Sequence, residues 1–138
     1  MTVQITQRQT PCFRALVKSE SSGDPFDASI DLATAEELEA EGITLPPISC
    51  TVYKSTNNLA PLVYSTASAT PVPGYQDLEI DADAFLDPSA VSVGYNFSYT
   101  PPNRSTFAFN DAGAYFVDFL IYPKEGAAIA FRVGVNVE

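Results

Sequence analysis

The sequence contains no histidine and no tryptophan, and only two of its 138 residues are cysteine. Histidine is the most common catalytic base and transition-metal ligand, so its absence rules out a Ser-His-Asp or Cys-His site. The phosphate-binding patterns G-x-x-x-x-G-K-[ST] and G-x-G-x-x-G are also missing. These absences argue against an enzyme, and we expect the chain to use no cofactor.

Basic residues are scarce, with seven Lys and Arg against seventeen Asp and Glu and a formal net charge of −10. Clusters of basic side chains are what bind a phosphate backbone, so we expect no nucleic-acid partner. Thirteen of the acids lie between Glu20 and Asp87, where Lys54 is the only base. This segment is either a solvated surface that keeps the protein soluble or one acidic face that meets a basic partner or a cation.

Long apolar runs are absent too. No segment approaches the roughly 20 apolar residues that a membrane-spanning helix needs, so we expect no membrane partner. Residues 1–8 lack the basic flank and apolar block of a secretory signal, which means that the protein stays where it is made or that a signal has been removed. Alternation turns Cys12 outward and Cys50 inward, so we expect no disulfide and an inert Cys50 in the core.

Short apolar runs punctuated by eleven prolines predict a single all-β domain over residues 1–138. We predict strands over residues 3–7, 12–18, 48–54, 62–66, 76–82, 91–99, 114–122 and 128–137. Residues 1–10 are predicted to include an extended N-terminal arm. The turn Pro123-Lys124-Glu125-Gly126 joins the last two runs and predicts an antiparallel C-terminal hairpin.

One short helix is predicted near residues 34–41. Thr34 and Glu37 have the spacing of a capping box, and Gly42 lies where a helix end favours glycine. The segment carries four glutamates, and Leu38 is nearly its only apolar anchor. The helix is therefore either a solvent-facing insertion or a docking element for a neighbouring subunit.

The segment Asp111-Ala112-Gly113-Ala114-Tyr115 reads D-x-G-x-Y and leads directly into an alternating strand. Asp111 and Gly113 suit a tight turn, and Tyr115 has the spacing of a tyrosine corner, whose hydroxyl caps the backbone upstream. The stretch resembles immunoglobulin-like domains that have no disulfide, because Val117 stands where antibody domains carry a cysteine. The resemblance implies an immunoglobulin-like antiparallel β-sandwich with the helical insertion near residues 34–41.

A second feature narrows the resemblance to one group of immunoglobulin-like domains. It is an early strand followed by the turn Gly23-Asp24-Pro25-Phe26-Asp27. The chain looks like the immunoglobulin-like domains of tailed-bacteriophage virions, which occur in tail and baseplate proteins and in capsid decoration or cement proteins. The resemblance implies a non-enzymatic structural protein of the virion, made in the host cytoplasm. It would bind other virion subunits as a homo-oligomer or in repeated copies.

The strand over residues 114–122 has an unusually apolar outward face. Phe116, Leu120 and Tyr122 form this face, interrupted only by Asp118. Such a face needs cover from the helix, from the loop 100–106 or from another chain, and in the last case it is an interface. Arg104 in the loop 101–105 and the polar arm 2–10 are further contact candidates.

Two other features suggest ligands. Asp81, Asp83 and Asp87 are candidates for a Ca²⁺ site, although alternation with Leu78 and Ile80 favours the wet face of a strand. A carbohydrate-binding or adhesin module on a cell surface would share the sandwich fold. Its candidate exposed aromatics are Tyr53, Tyr64, Tyr75 and Tyr122. The two N-x-S triplets, at Asn96 and Asn103, imply nothing about glycosylation without a secretory signal.

Overall fold

The computed structural model describes residues 2–19, 23–55, 69–86, 94–102 and 107–138. In chain order they form β1 (Thr2–Ile5), β2 (Phe13–Ala15), α1 (Ala35–Ala40), β3 (Ile48–Ser55), β4 (Ala69–Pro71), β5 (Leu78–Glu79), a 3₁₀ helix (Ala82–Ala84), β6 (Phe97–Tyr99), β7 (Gly113–Ile121) and β8 (Ile129–Val137). The prediction of a mainly β chain with one short α-helix is confirmed as far as secondary-structure content is concerned.

The larger sheet has the strand order β1-β8-β7-β3, and both β4 and β5 pair with the remaining edge of β3. Strand β1 runs parallel to β8, with Val3 opposite Val135, while the other pairs are antiparallel. The expectation of a purely antiparallel sandwich is therefore wrong for β1. A parallel pair needs a long connection, and here nearly the whole chain lies between the two strands.

The C-terminal hairpin of β7 and β8 is the longest pairing, running from Gly113 opposite Val137 to Ile121 opposite Ile129. Both strands alternate side chains between the two faces of the sheet, as the period-two pattern requires. The predicted hairpin is confirmed. It lies in the middle of the large sheet, so the register of this one pair positions both neighbouring strands.

A second layer is formed by the antiparallel pair β2 and β6, in which Phe13 lies opposite Tyr99. Its aromatic side chains pack on the large sheet: the Phe97 ring lies 5.4 Å from that of Phe119 and 5.8 Å from that of Phe131. Phe97 and Phe119 are fully buried. Burying a side chain of this size contributes about 1.5–3 kcal/mol, so the contact between the layers is a main source of stability.

Several predicted strands are shorter in the structure. The run 76–82 contains only β5, because Asp81 begins a 3₁₀ helix by accepting a hydrogen bond from the Asp83 backbone N–H at 3.1 Å. From the run 91–99 the structure has Phe97–Tyr99 as a strand, and residues 91–93 and the predicted strand 62–66 lie outside the described residues. Strand β4 was not predicted.

The N-terminal segment is held by the fold rather than extended as an arm. Thr2–Ile5 are hydrogen-bonded to β8 in the large sheet. Beyond the strand, the backbone N–H of Arg8 donates to the carbonyl of Phe109 at 2.9 Å. The backbone of Thr2–Ile5 and of Arg8 is therefore engaged within the chain, which is not what an arm that orders on a partner requires.

Helix α1 forms where it was predicted. The capping box between Thr34 and Glu37 is present. The Thr34 hydroxyl donates a hydrogen bond to the Glu37 carboxylate, and this bond lowers the pKa of the carboxyl. Leu38 is buried, and Lys124 Nζ lies 3.6 Å from the Glu37 carboxylate. Within the described residues no helix has the length and apolar character needed to cross a membrane. A docking role for α1 stays a prediction.

Tyr75, a candidate exposed aromatic, is fully buried. It follows a tight turn in which Gly74 has a φ of 86° and the Tyr75 N–H donates to the Val72 carbonyl at 2.9 Å. Pro-Gly at the centre of a turn suits this geometry. The phenol then finds a partner inside the protein, because its hydroxyl donates to the Pro102 carbonyl at 2.8 Å. The expectation that Tyr75 is exposed is wrong.

Candidate functional site

The D-x-G-x-Y segment forms a hydrogen-bonded corner at the start of β7. The hydroxyl of Tyr115 donates to the Asp111 carbonyl at 3.0 Å and accepts from the Asp111 N–H at 3.3 Å. Gly113 has a φ of 141°, a conformation that favours glycine. Burial raises the pKa of the Tyr115 phenol. Asp111, Gly113 and Tyr115 are thus brought together as the sequence predicts, in a structural arrangement.

Replacing Tyr115 by phenylalanine is expected to destabilise the protein by about 1 kcal/mol, because the two part-buried hydrogen bonds between its hydroxyl and the Asp111 backbone are lost. The ring contact with Phe109, at 5.3 Å between centroids, is retained. Thermal melting measures the effect. The matched control is Tyr122→Phe, since Tyr122 is only half-buried. Equal melting temperatures for the Tyr115 variant and the unaltered protein would contradict the corner.

On the outward face of β7, Phe116 is covered by side chains of neighbouring strands in the same sheet. Phe116 is fully buried, stacked on Tyr53 of β3 with 4.9 Å between ring centroids, and the Arg132 guanidinium lies 4.2 Å from the centre of its ring. Phe116 is therefore unavailable as a contact residue. Leu120 and Tyr122 are half-buried, and Arg104 lies outside the described residues.

Beside this stack the same face of the sheet is concave. We call this concavity the outer groove, a space of about 440 Å³ whose outward-facing lining side chains are Ser49, Thr51, Tyr53, Asp77, Asp118, Leu120, Ala130 and Arg132. Strand register brings three of them into one row, because Asp118 lies opposite both Thr51 and Arg132. The groove therefore depends on β3, β7 and β8 together.

An ion pair and a further carboxylate provide the charged groups of the outer groove. Arg132 binds Asp118 through two hydrogen bonds of 2.6 and 2.9 Å, and this interaction raises the pKa of the Arg132 guanidinium. Asp77 exchanges hydrogen bonds with Thr51: its N–H donates to Oγ1 at 3.0 Å, and Oγ1 donates to its carboxylate at 3.3 Å. Burial, followed by the charges of Asp118 and Asp77, raises the pKa of Tyr53.

The described part of the acidic run does not come together as a metal site. Asp81 and Asp83 are exposed, and the Asp81 carboxylate is used to begin the 3₁₀ helix. Asp87 lies outside the described residues. Within the part of the chain that the structure describes, no group of three His, Cys, Asp or Glu side chains is placed to hold a metal ion. A continuous strand with a solvent-exposed acidic face was expected over residues 77–83. The structure has a two-residue strand and a 3₁₀ turn there instead.

The two cysteines are unpaired, as predicted. Cys50 is buried in the core, and its burial raises the thiol pKa to about 12. Cys12 is exposed, and a contact of 3.2 Å between its Sγ and the Ser98 Oγ is the main factor that lowers its pKa. A thiol with a pKa as high as that of Cys50 is protonated at neutral pH and is therefore a poor nucleophile.

Sequence reasoning missed the structural role of Asn96, which it noted only as part of an N-x-S triplet. The side chain is fully buried, accepts from the Val17 N–H at 2.7 Å, and donates to the carbonyls of Val17 at 2.7 Å and Phe26 at 3.3 Å. In the folded chain this amide is thus committed to three backbone groups. The available signal was an uncharged polar residue directly before the apolar strand β6.

No protein-family model matches the chain. Neither the curated proteins nor the solved structures include a significant match. A functional assignment therefore depends on the features described above: the two-layer arrangement, the corner at Tyr115 and the outer groove.

Proposed function

We propose that the protein is an immunoglobulin-like β-sandwich domain that works by binding other proteins. The support is topological. In immunoglobulin sandwiches strands B and E share one sheet, strands C, F and G share the other, and the tyrosine corner lies near the start of F. Here β2 and β6 pair in one layer, and β3, β7 and β8 are neighbours in the other. Tyr115 lies at the start of β7, the strand that corresponds to F.

We further propose that the setting is a tailed-bacteriophage virion, in the tail, the baseplate or the capsid decoration layer. The resemblance of the corner and of the C-terminal hairpin to virion domains supports this assignment. A strongly acidic surface is consistent with it, because self-repulsion keeps a free subunit soluble until a complementary surface is met. In this setting the domain has a structural role without catalysis and acts in repeated copies.

The observation that carries the proposal is the corner at Tyr115 within a two-layer sheet arrangement. Light scattering tests it directly: the mass of the purified chain is measured alone and mixed with the products of its neighbouring genes. We expect a defined homo-oligomer or a defined complex with one of those products. A persistent monomer in every mixture would contradict the virion assignment.

A further inference from the structure

We infer that the outer groove is a docking site for an arginine side chain of a partner protein. The inference rests on the proposed function, because it assumes that the domain binds other proteins, and it names the site and the chemistry of the contact. Three properties of the groove support it: the charge of its lining, its shape, and a guanidinium that the protein already holds beside it.

The charge of the lining favours a cation. Arg132 is committed to Asp118 through two hydrogen bonds, so this pair is close to neutral. Asp77 is different: within the described residues its carboxylate receives the Thr51 hydroxyl and forms no ion pair. One negative charge therefore remains in the groove. The chain as a whole carries a net charge of −10, so the field around the groove also attracts cations.

Apart from Arg132, whose guanidinium donates to Asp118, every polar side chain of the lining can accept a hydrogen bond. Ionised carboxylates only accept, and hydroxyl groups such as those of Thr51 and Tyr53 both accept and donate. The charges of Asp77 and Asp118 both raise the pKa of the Tyr53 phenol, so the phenol lies within the field of both carboxylates. A guanidinium has five N–H donors and no acceptor, which matches such a lining better than a neutral ligand does.

The groove is large enough to admit an inserted arginine side chain. Its volume of about 440 Å³ falls in the range of small-ligand pockets. Leu120 and Ala130 provide apolar surface for the methylene groups of an incoming side chain, and Tyr53 provides an aromatic wall. Guanidinium groups stack on aromatic rings, as Arg132 does on Phe116 at 4.2 Å in the adjoining stack.

Asp77→Asn is a conservative test variant, because asparagine tolerates the backbone conformation of Asp77. Its φ of 49° is a left-handed conformation that Asn and Asp adopt more readily than other residues. In Asp77→Asn the amide oxygen still accepts from Thr51, and only the charge is lost. Asp81→Asn is the matched control, because it removes one charge from an exposed acid outside the lining of the groove. Unchanged thermal melting shows that both variants fold.

The probes are Nα-acetyl-arginine amide and its uncharged isostere Nα-acetyl-citrulline amide, titrated into ¹⁵N-labelled full-length protein. We expect the arginine probe to shift the amide signals of Thr51, Asp118 and Arg132, and the citrulline probe to leave them unchanged. Loss of one charged hydrogen-bonding partner is expected to weaken the affinity about threefold to tenfold in Asp77→Asn. The affinity of Asp81→Asn should match that of the unaltered protein.

Three results would overturn the inference: equal binding of the two probes, equal loss of affinity in both variants, or shifts confined to other parts of the chain. A neutral sugar, methyl α-glucopyranoside, serves as a further arm. If it shifts the groove signals and the arginine probe does not, the groove is a carbohydrate site. The light-scattering experiment is independent of these probes, so failure of the groove and failure of the proposed function are distinguished.

Discussion

Replacing Asn96 by leucine is expected to lower the free energy of unfolding by about 3–5 kcal/mol. Leucine has nearly the same size but pairs with none of the three backbone groups that Asn96 satisfies, the Val17 N–H and the carbonyls of Val17 and Phe26. A buried polar group without a partner costs about 1–3 kcal/mol, and the Val17 N–H and the Phe26 carbonyl both lose the side chain that pairs with them. The Val17 carbonyl loses one of two bonds, because it still accepts from the Phe26 N–H at 2.9 Å. Urea denaturation followed by circular dichroism gives the value.

Asn110→Leu is the control for this variant. Asn110 is exposed and makes one long hydrogen bond, 3.4 Å from the Arg8 Nε. Surface changes of this kind usually alter stability by about 0.5 kcal/mol or less. If Asn96→Leu were as stable as the Asn110 variant, the three-way hydrogen bonding at Asn96 would be refuted.

Replacing Phe119 by alanine is expected to destabilise the protein by about 3–5 kcal/mol, the usual cost of removing a buried aromatic ring. The ring stacks on Phe131 at 4.9 Å within the large sheet and meets Phe13 of the other layer at 5.7 Å. Its removal leaves a cavity between the two layers that close-packed neighbours fill only in part. The free energy of unfolding in urea measures the loss.

Phe107→Ala removes the same side chain from the surface, where Phe107 is 37% exposed. We expect this control to lose about 1 kcal/mol or less, in line with a surface substitution. Similar losses in the two variants would mean that Phe119 does not lie between two packed layers.

Local signals in the sequence predicted the elements that depend on near neighbours in the chain. The C-terminal hairpin follows from alternation on both sides of a turn, and helix α1 follows from the capping box at Thr34 and Glu37. The contact of Tyr115 with Asp111 spans four residues. In each case the interacting groups are close in sequence, so their spacing alone constrains the geometry.

Long-range pairing was not predictable in this way. Nothing local indicates that β1 runs parallel to β8, or that β4 and β5 share one edge of β3. The burial of Phe116 likewise follows from Tyr53 on β3 and Arg132 on β8, two strands whose register the sequence does not specify. Asn96 was missed for the same reason, because its partners lie 70 or more residues away in the chain.

The candidate site was predicted only in part. The sequence singled out the face of β7 that carries Phe116, Leu120 and Asp118, and this is the face on which the outer groove lies. It assigned the contact role to the apolar residues, whereas the groove is lined by polar side chains as well. Asp77 was expected on a regular strand face. Its left-handed backbone conformation and its hydrogen bond with Thr51 could not be predicted from the sequence and became apparent only in the folded structure.

The two-layer fold requires that β2 and β6 lie against the face of the large sheet. Nuclear Overhauser contacts between aromatic protons measure this most directly. We expect cross-peaks that join the Phe97 ring to the rings of both Phe119 and Phe131, whose centroids lie 5.4 and 5.8 Å away. A folded protein in which the Phe97 ring shows contacts within its own layer and none to Phe119 or Phe131 would contradict the two-layer fold.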